Sequence, residues 1–426
     1  MTENKLQAVH DAVRAYCAKA FDFSFDPANP IVRLHEPTFE AEEIIAALDC
    51  LLTTRVTMGP KVLEFENAFA AAHGYRNAVM VNSGSSANLL AIAALVNPAL
   101  PDALKPGDEV IVPALSWSTT VWPLVQFGLV PVFVDMDPDT LNMDMAEVER
   151  AIGPRTRAIM PVHVYGNPCD MDALTDIVKR HNLVLVEDCC EALGARFRDR
   201  PVGTFGRVGT FSFYYSHHIT TVEGGMCVTD DDELAELMRI LRAHGWIREV
   251  KDRERWLRQY PDIDPRFLFV NAGFNLRASE LQGAMGLIQL PKLPAFVQGR
   301  RTTHAFFTEA LTGFSDKIRV QKQTPNSFSS CFGFAVTLRD SSGLSRQKIT
   351  AALNAANIET RPIICGNIAR QPGMQLFQHR TVGDLPHATH SMHHSFSFGN
   401  HQFVDETACT YIVKVLSEAL RSGAAI

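Results

Sequence analysis

No stretch of this chain stays apolar for the roughly 18 residues that a membrane-spanning helix requires, and none is a run of lysine and arginine. The first absence leaves no transmembrane segment. The second, with a formal net charge of −7, argues against nucleic acid or an anionic membrane as a partner. Met1 to Phe21 carry Glu3, Asp11 and scattered basic residues in place of the apolar stretch of a signal peptide, which predicts a cytoplasmic protein. In that segment Leu6, Val9, Val13, Tyr16, Cys17 and Ala20 recur at helical spacing, the pattern of an amphipathic helix. The pattern of a disulfide framework is missing too: the nine cysteines are odd in number and scattered, Cys189 and Cys190 alone are adjacent and no Cys-x-Cys occurs, which suits free thiols in a reducing compartment. One further absence matters more than these, for no lysine lies between Lys179 and Lys251.

What is present is enough to bury a large core. At 426 residues and 46% hydrophobic content the chain predicts one large and one smaller domain. Strand-like apolar runs occur at Asn77 to Val81, Glu109 to Pro113, Val130 to Asp135, Ala158 to Val164, Leu183 to Glu187, Val208 to Phe213 and Met226 to Thr229. Helix-length periods such as Ala87 to Val96 and Asp170 to His181 lie between them. That alternation predicts an α/β fold with a mostly parallel sheet flanked by helices. From about Leu290 the composition shifts, with Pro291, Pro294, a helix-like Gly299 to Leu311 and a strand-like Gly333 to Leu338. The expected organisation is an N-terminal helical segment at 1–29, a large domain at 30–289 and a small C-terminal α/β domain at 290–426.

Open α/β sheets bind ligands beyond the carboxyl ends of their strands, and three polar constellations fall there. Asn82-Ser83-Gly84-Ser85-Ser86-Ala87-Asn88 opens a helix with small residues, leaving backbone N–H groups and a helix dipole to receive an anion. A serine-rich N-cap without a ligand has the same pattern. Val184 to Gly194 closes an apolar strand on Glu187 and Asp188, and a carboxylate there suits either a protonated ring nitrogen or a helix N-cap. Pro113 to Thr120 places Trp117 after a strand, where it suits stacking on a flat ring or burial in the core.

In this order and spacing the segments resemble the DegT/DnrJ/EryC1/StrS family of sugar aminotransferases. Supporting stretches are Val56 to Val62 with Phe65-Glu66, Pro161 to Gly166, Gly273 to Arg277 with Glu280 to Gln282, and Arg361-Pro362. The resemblance implies the fold type I architecture of pyridoxal-phosphate (PLP) aminotransferases and a homodimer with its active site at the subunit interface. Carried over by position, it implies that Gly84, Ser85 and Ser212 bind the cofactor phosphate and that Trp117 stacks on the ring. It further implies that Asp188 meets the pyridine nitrogen, that Glu191 makes a nearby polar contact, and that Asn275 reaches the phosphate from the partner subunit.

The departure lies in Phe211 to Gly225, which is similar to the family's lysine loop but carries His217 where the Schiff-base lysine belongs. With no lysine nearby, the cofactor is expected to be held noncovalently as pyridoxal or pyridoxamine 5′-phosphate, while an imidazole still moves a proton. His217-His218 followed by Thr220-Thr221-Val222-Glu223-Gly224-Gly225 is similar to the family's 3-dehydratase subgroup. That resemblance implies removal of the C3 hydroxyl from a nucleotide-linked 4-keto-6-deoxysugar, with L-glutamate as amino donor. One branch of the subgroup adds a cysteine-bound iron-sulfur cluster and a reductase, but here no cysteine lies between Cys227 and Cys331. The metal-free, glutamate-fed branch is therefore the leading expectation. A reductase-coupled dehydrase, a conventional aminotransferase and a sugar-nucleotide-binding pseudoenzyme are the alternatives. Arg361, Asn367 and Arg370 fit contacts to a diphosphate or sugar as well as they fit structural pairing.

Overall fold

The structure is a computed structural model describing residues 2–423; Met1 and residues 424–426, the extremes of the first and last expected segments, lie outside it. The apolar runs become β1 (Asn77–Val81), β2 (Glu109–Pro113), β3 (Val130–Val134), β4 (Thr156–Ile159), β5 (Val184–Asp188), β6 (Val208–Ser212) and β7 (Gly225–Thr229). They form an eight-stranded sheet in the order β1-β7-β6-β5-β4-β2-β3, closed at the far edge by Arg380–Thr381. Only β7 runs antiparallel to its neighbours; the remaining pairs are parallel. Every residue of β1, β2, β3, β6 and β7 is buried, because a strand covered by helices on both faces has no side for polar residues.

The boundaries move where caps and prolines act. The strand expected from Ala158 to Val164 leaves the ladder after Ile159, since Pro161 has no N–H to contribute. Its carbonyl accepts the Asp188 N–H instead (3.0 Å), and the chain then turns through Tyr165 at φ 54°. The helix expected from Ala87 begins at Gly84, because the Ser83 hydroxyl accepts the Ser86 N–H (3.1 Å) and caps it. Asp170 likewise caps Met171–His181 by accepting from Ala173 N–H.

A second, antiparallel sheet orders Ile318–Val320, Phe334–Leu338, Ser395–Phe398 and Thr360–Arg361. Phe307, Phe334, Val336, Phe396 and Phe398 form its core, which Val32 joins from the start of the chain. Ile368, Ala369, Met374, Leu385 and Ala388 pack instead into the core of the large sheet. The amphipathic helix is present as Thr2–Ala20, tied to Ala41–Leu52 by His10 to Asp49 (2.7 Å) and Arg14 to Glu42 (2.8 Å). Of its apolar positions Cys17 is buried, whereas Leu6, Val9 and Tyr16 are exposed. Among the described residues no helix is long and apolar enough to cross a membrane.

Strand β1 lies at the sheet edge, so some of its backbone groups lack a strand partner. Buried side chains supply it: Met80 N–H donates to Glu66 (2.7 Å) and Met80 C=O accepts from Arg242 (2.6 Å), with Glu66 and Arg242 paired to each other. Removing one member of a buried pair strands the other charge. Arg242→Met is expected to lower unfolding stability by about 3 kcal/mol in denaturant titration; a loss below about 0.5 kcal/mol would show that the pair does not hold this edge.

Candidate active site

The carboxyl ends of β1, β2, β5 and β6 converge on a cavity of about 330 Å³. Its floor is organised by Asp188, the last residue of β5. Asp188 Oδ2 accepts from Asn88 Nδ2 (2.9 Å) and Thr120 Oγ1 (2.8 Å), and Oδ1 accepts from the Cys190 N–H (3.1 Å). Asn88 in turn accepts from Thr210 Oγ1 of β6 (2.6 Å). The carboxylate is thereby fixed in position while it lines the cavity.

Gly84, Ser85 and Ser212 meet at one end. A Cβ on Gly84 would fall 2.5 Å from Ser212 Cβ, and one on Gly225 would fall 2.3 Å from the Ser83 carbonyl, so only glycine lets these segments come so close. Among the described residues the Gly84 and Ser85 N–H groups make no hydrogen bond, which leaves the first turn of the helix open to an anion. Ser85 Oγ contacts Thr119 Oγ1 (3.1 Å), and Ser212 Oγ accepts from Tyr214 N–H (3.3 Å). Trp117 opens the helix Ser118–Gln126 and is 55% exposed, so its large apolar ring is available to a planar ligand.

The loop after β6 carries His217 and is held from several sides. Thr220 N–H donates to the buried Gln289 Oε1 (3.1 Å), Thr221 N–H donates to the Phe213 carbonyl (3.0 Å), and His218 Nε2–H donates to the Ser330 carbonyl (3.0 Å). The His217 ring lies against Phe332, with centroids 5.1 Å apart, and its Nδ1 is buried without a protein partner. Burial, reinforced by the cationic Arg300 and Arg361 and by His35, lowers its pKa to about 3, so the imidazole is neutral at physiological pH. Among the described residues no lysine lines the cavity.

Glu191 accepts the Tyr165 N–H at Oε2 (2.9 Å), and burial raises its pKa to about 7 against the opposing pull of that bond and of Arg361. Seven of the eight expected site residues therefore share one cavity. Asn275 does not: it is exposed, and its Oδ1 accepts from Arg277 Nε (3.1 Å). Asn88, Thr120 and Phe332 line the cavity without having been assigned a role, and Arg361, a candidate for diphosphate or sugar contact, lines it as well. Asn88 and Thr120 carry a signal, each standing three residues after Ser85 or Trp117 and hence on the same helix face. Phe332 arrives from a segment far along the chain and carries none.

An orphaned buried imidazole nitrogen, a glycine-lined anion cradle, an exposed tryptophan and a fixed carboxylate fit a phosphorylated heteroaromatic ring. Together with the sheet order they define an enzyme of the PLP-dependent aminotransferase fold. The chain matches the DegT/DnrJ/EryC1/StrS aminotransferase family over residues 37–417, and it belongs to that family. It is 42% identical, over 87% of its own length and 94% of the relative's, to a GDP-4-keto-6-deoxy-D-mannose 3-dehydratase of Yersinia pseudotuberculosis. Its structure is similar to that of the Escherichia coli GDP-4-keto-6-deoxy-D-mannose 3-dehydratase with bound hydrated PLP, with TM-score 0.83 and 38% identity over 90% of this chain and 99% of the other. It matches equally well (0.83, 38%, 90% and 100%) a GDP-4-keto-6-deoxymannose 3-dehydratase holding a trapped PLP-glutamate geminal diamine.

The raised pKa of Glu191 has a definite consequence for stability. A carboxyl that binds its proton more tightly when folded stabilises fully below its ordinary value of 4.5, and that contribution is lost as pH rises through about 7. Glu191→Gln is expected to flatten this part of the profile of melting temperature against pH. A variant whose melting temperature falls as steeply as wild type over that window would contradict the assignment.

Proposed function

We propose that the chain is a nucleotide-sugar 3-dehydratase that removes the C3 hydroxyl of GDP-4-keto-6-deoxymannose, using PLP and pyridoxamine 5′-phosphate held without a covalent bond. The observation that carries the reading is the neutral, loop-anchored His217 in a cavity lined, among the described residues, by no lysine but by Asp188, Trp117 and the Gly84-Ser212 cradle. The relatives' substrate and the glutamate trapped in one of them support the sugar and the amino donor. The bound cofactor supplies a conjugated, electron-withdrawing ring that lets a C–O bond break beside the sugar's C4.

The protein's own residues divide the remaining work. Gly84, Ser85 and Ser212 would hold the phosphate, Trp117 would cover the ring, Glu191 would make a polar contact beside it, and Asp188 would pair with its protonated nitrogen. His217 takes and returns the proton as a neutral imidazole. A lysine in its place could attach the cofactor and divert the cycle to amino transfer. The nine thiols are dispersed, and among the described residues no three of them gather, so we assign no cluster-dependent step. We further infer a cytoplasmic homodimer in which Asn275 of the partner subunit completes the phosphate site.

Purified protein incubated with PLP, glutamate and GDP-4-keto-6-deoxymannose is expected to yield 2-oxoglutarate, ammonia and a sugar lighter by one oxygen, read by mass spectrometry. A stable 4-amino sugar that keeps its C3 oxygen would overturn the proposal. With His217→Asn, deoxygenation should fall by on the order of a hundredfold or more while bound-cofactor absorbance persists; deoxygenation at the wild-type rate would remove His217 as the base.

A further inference from the structure

Outside the cavity, three side chains converge on the small-sheet side of the molecule. His390 and His394 stand one turn apart on the helix Pro386–His394, with rings stacked 4.4 Å between centroids and 17° between planes. Asp340, which opens the turn after the strand Phe334–Leu338, faces them: its Oδ1 lies 2.9 Å from His390 Nε2 and 3.9 Å from His394 Nε2. One ligand atom from each of the three lies within 4.8 Å of the others.

Both supporting elements are fixed by bonds that the three side chains do not use. The first turn of the helix is pinned by Asp135, which accepts from His387 N–H and Ala388 N–H at 2.8 Å each. Its last turn is held by Arg346, which donates to the Met392 carbonyl (2.9 Å), and Asn367 Nδ2 donates to Thr389 Oγ1 (3.0 Å) midway. The Asp340 turn is anchored by Arg339 Nε donating to the Ser315 carbonyl (2.8 Å) and by Ser342 Oγ donating to the Arg339 carbonyl (2.5 Å).

Hydrogen bonding alone accounts poorly for this arrangement. His390 Nε2 is hydrogen-bonded to Asp340 Oδ1 whereas His394 Nε2, 3.9 Å away, is not, and an exposed His-Asp pair contributes little to stability. Two histidines at i and i+4 with a carboxylate from a second element make a donor set suited to a borderline divalent ion, for which imidazole is the preferred ligand. Metal-ligand distances near 2.1 Å require the three atoms to draw together, and the Asp340 side chain, 79% exposed, is free to rotate. The half-exposed site leaves the remaining coordination positions to water.

We propose that Asp340, His390 and His394 form a zinc-class divalent-cation site that clamps the helix Pro386–His394 to the turn beside it. Chelator-stripped full-length protein titrated calorimetrically with Zn²⁺ is expected to show a saturable one-to-one site and a cation-dependent rise in melting temperature. His390→Gln with His394→Gln should abolish both, Asp340→Asn should weaken binding roughly tenfold or more, and His393→Ala, on the same helix but outside the cluster, should bind as wild type. An unchanged isotherm in the double variant, or equal losses in His393→Ala, would overturn the proposal. Asp340→Asn lies on an exposed turn and keeps the test valid if the double variant folds poorly.

Discussion

One carboxylate holds the site together. Asp188 ends β5, accepts hydrogen bonds from Asn88 of one flanking helix and Thr120 of another, and is linked through Asn88 to Thr210 of β6. Four elements meet on it. The helix start that forms the anion cradle and the helix start that presents Trp117 are both referenced to this point, so their spacing is set by bonds inside the floor and not by loops. A buried polar network so fully satisfied resists rearrangement, because displacing one member leaves another unpaired in a low-dielectric setting.

His217 is defined against that frame by influences that all act in one direction. Burial and two guanidinium groups keep its ring neutral, which is the state required to accept a proton. Anchoring of His218, Thr220 and Thr221 holds the loop that carries the ring.

The sheet and most of the cavity were legible in the sequence because both rest on local patterns. Buried parallel strands read as short apolar runs, and the cradle, Trp117 and Asp188 each stand at a strand-to-helix junction whose small or polar residues mark it. Errors came from local chemistry: Pro161 cut a strand that hydrophobicity alone extends, and the Ser83 cap moved a helix start to Gly84. Phe332 was not legible, since it enters the cavity through tertiary packing of the small sheet, and Arg361 was legible only as a candidate contact, because a guanidinium suits structural pairing equally well. The thread from Ile368 to Ala388 back into the large core likewise has no sequence signature, for its apolar residues would read the same in either core. Asn275 belongs to a third category, being exposed and outside the cavity that the other expected residues share.

The central claim is that the cofactor contacts are intact while the covalent tether is gone. It is tested most directly by loading the protein with PLP, removing free cofactor, reducing with borohydride and weighing the denatured chain. The account predicts cofactor absorbance that travels with the native protein and a chain of unmodified mass after reduction and unfolding. A reduced cofactor attached to a lysine, or a protein that retains no cofactor at all, would contradict it.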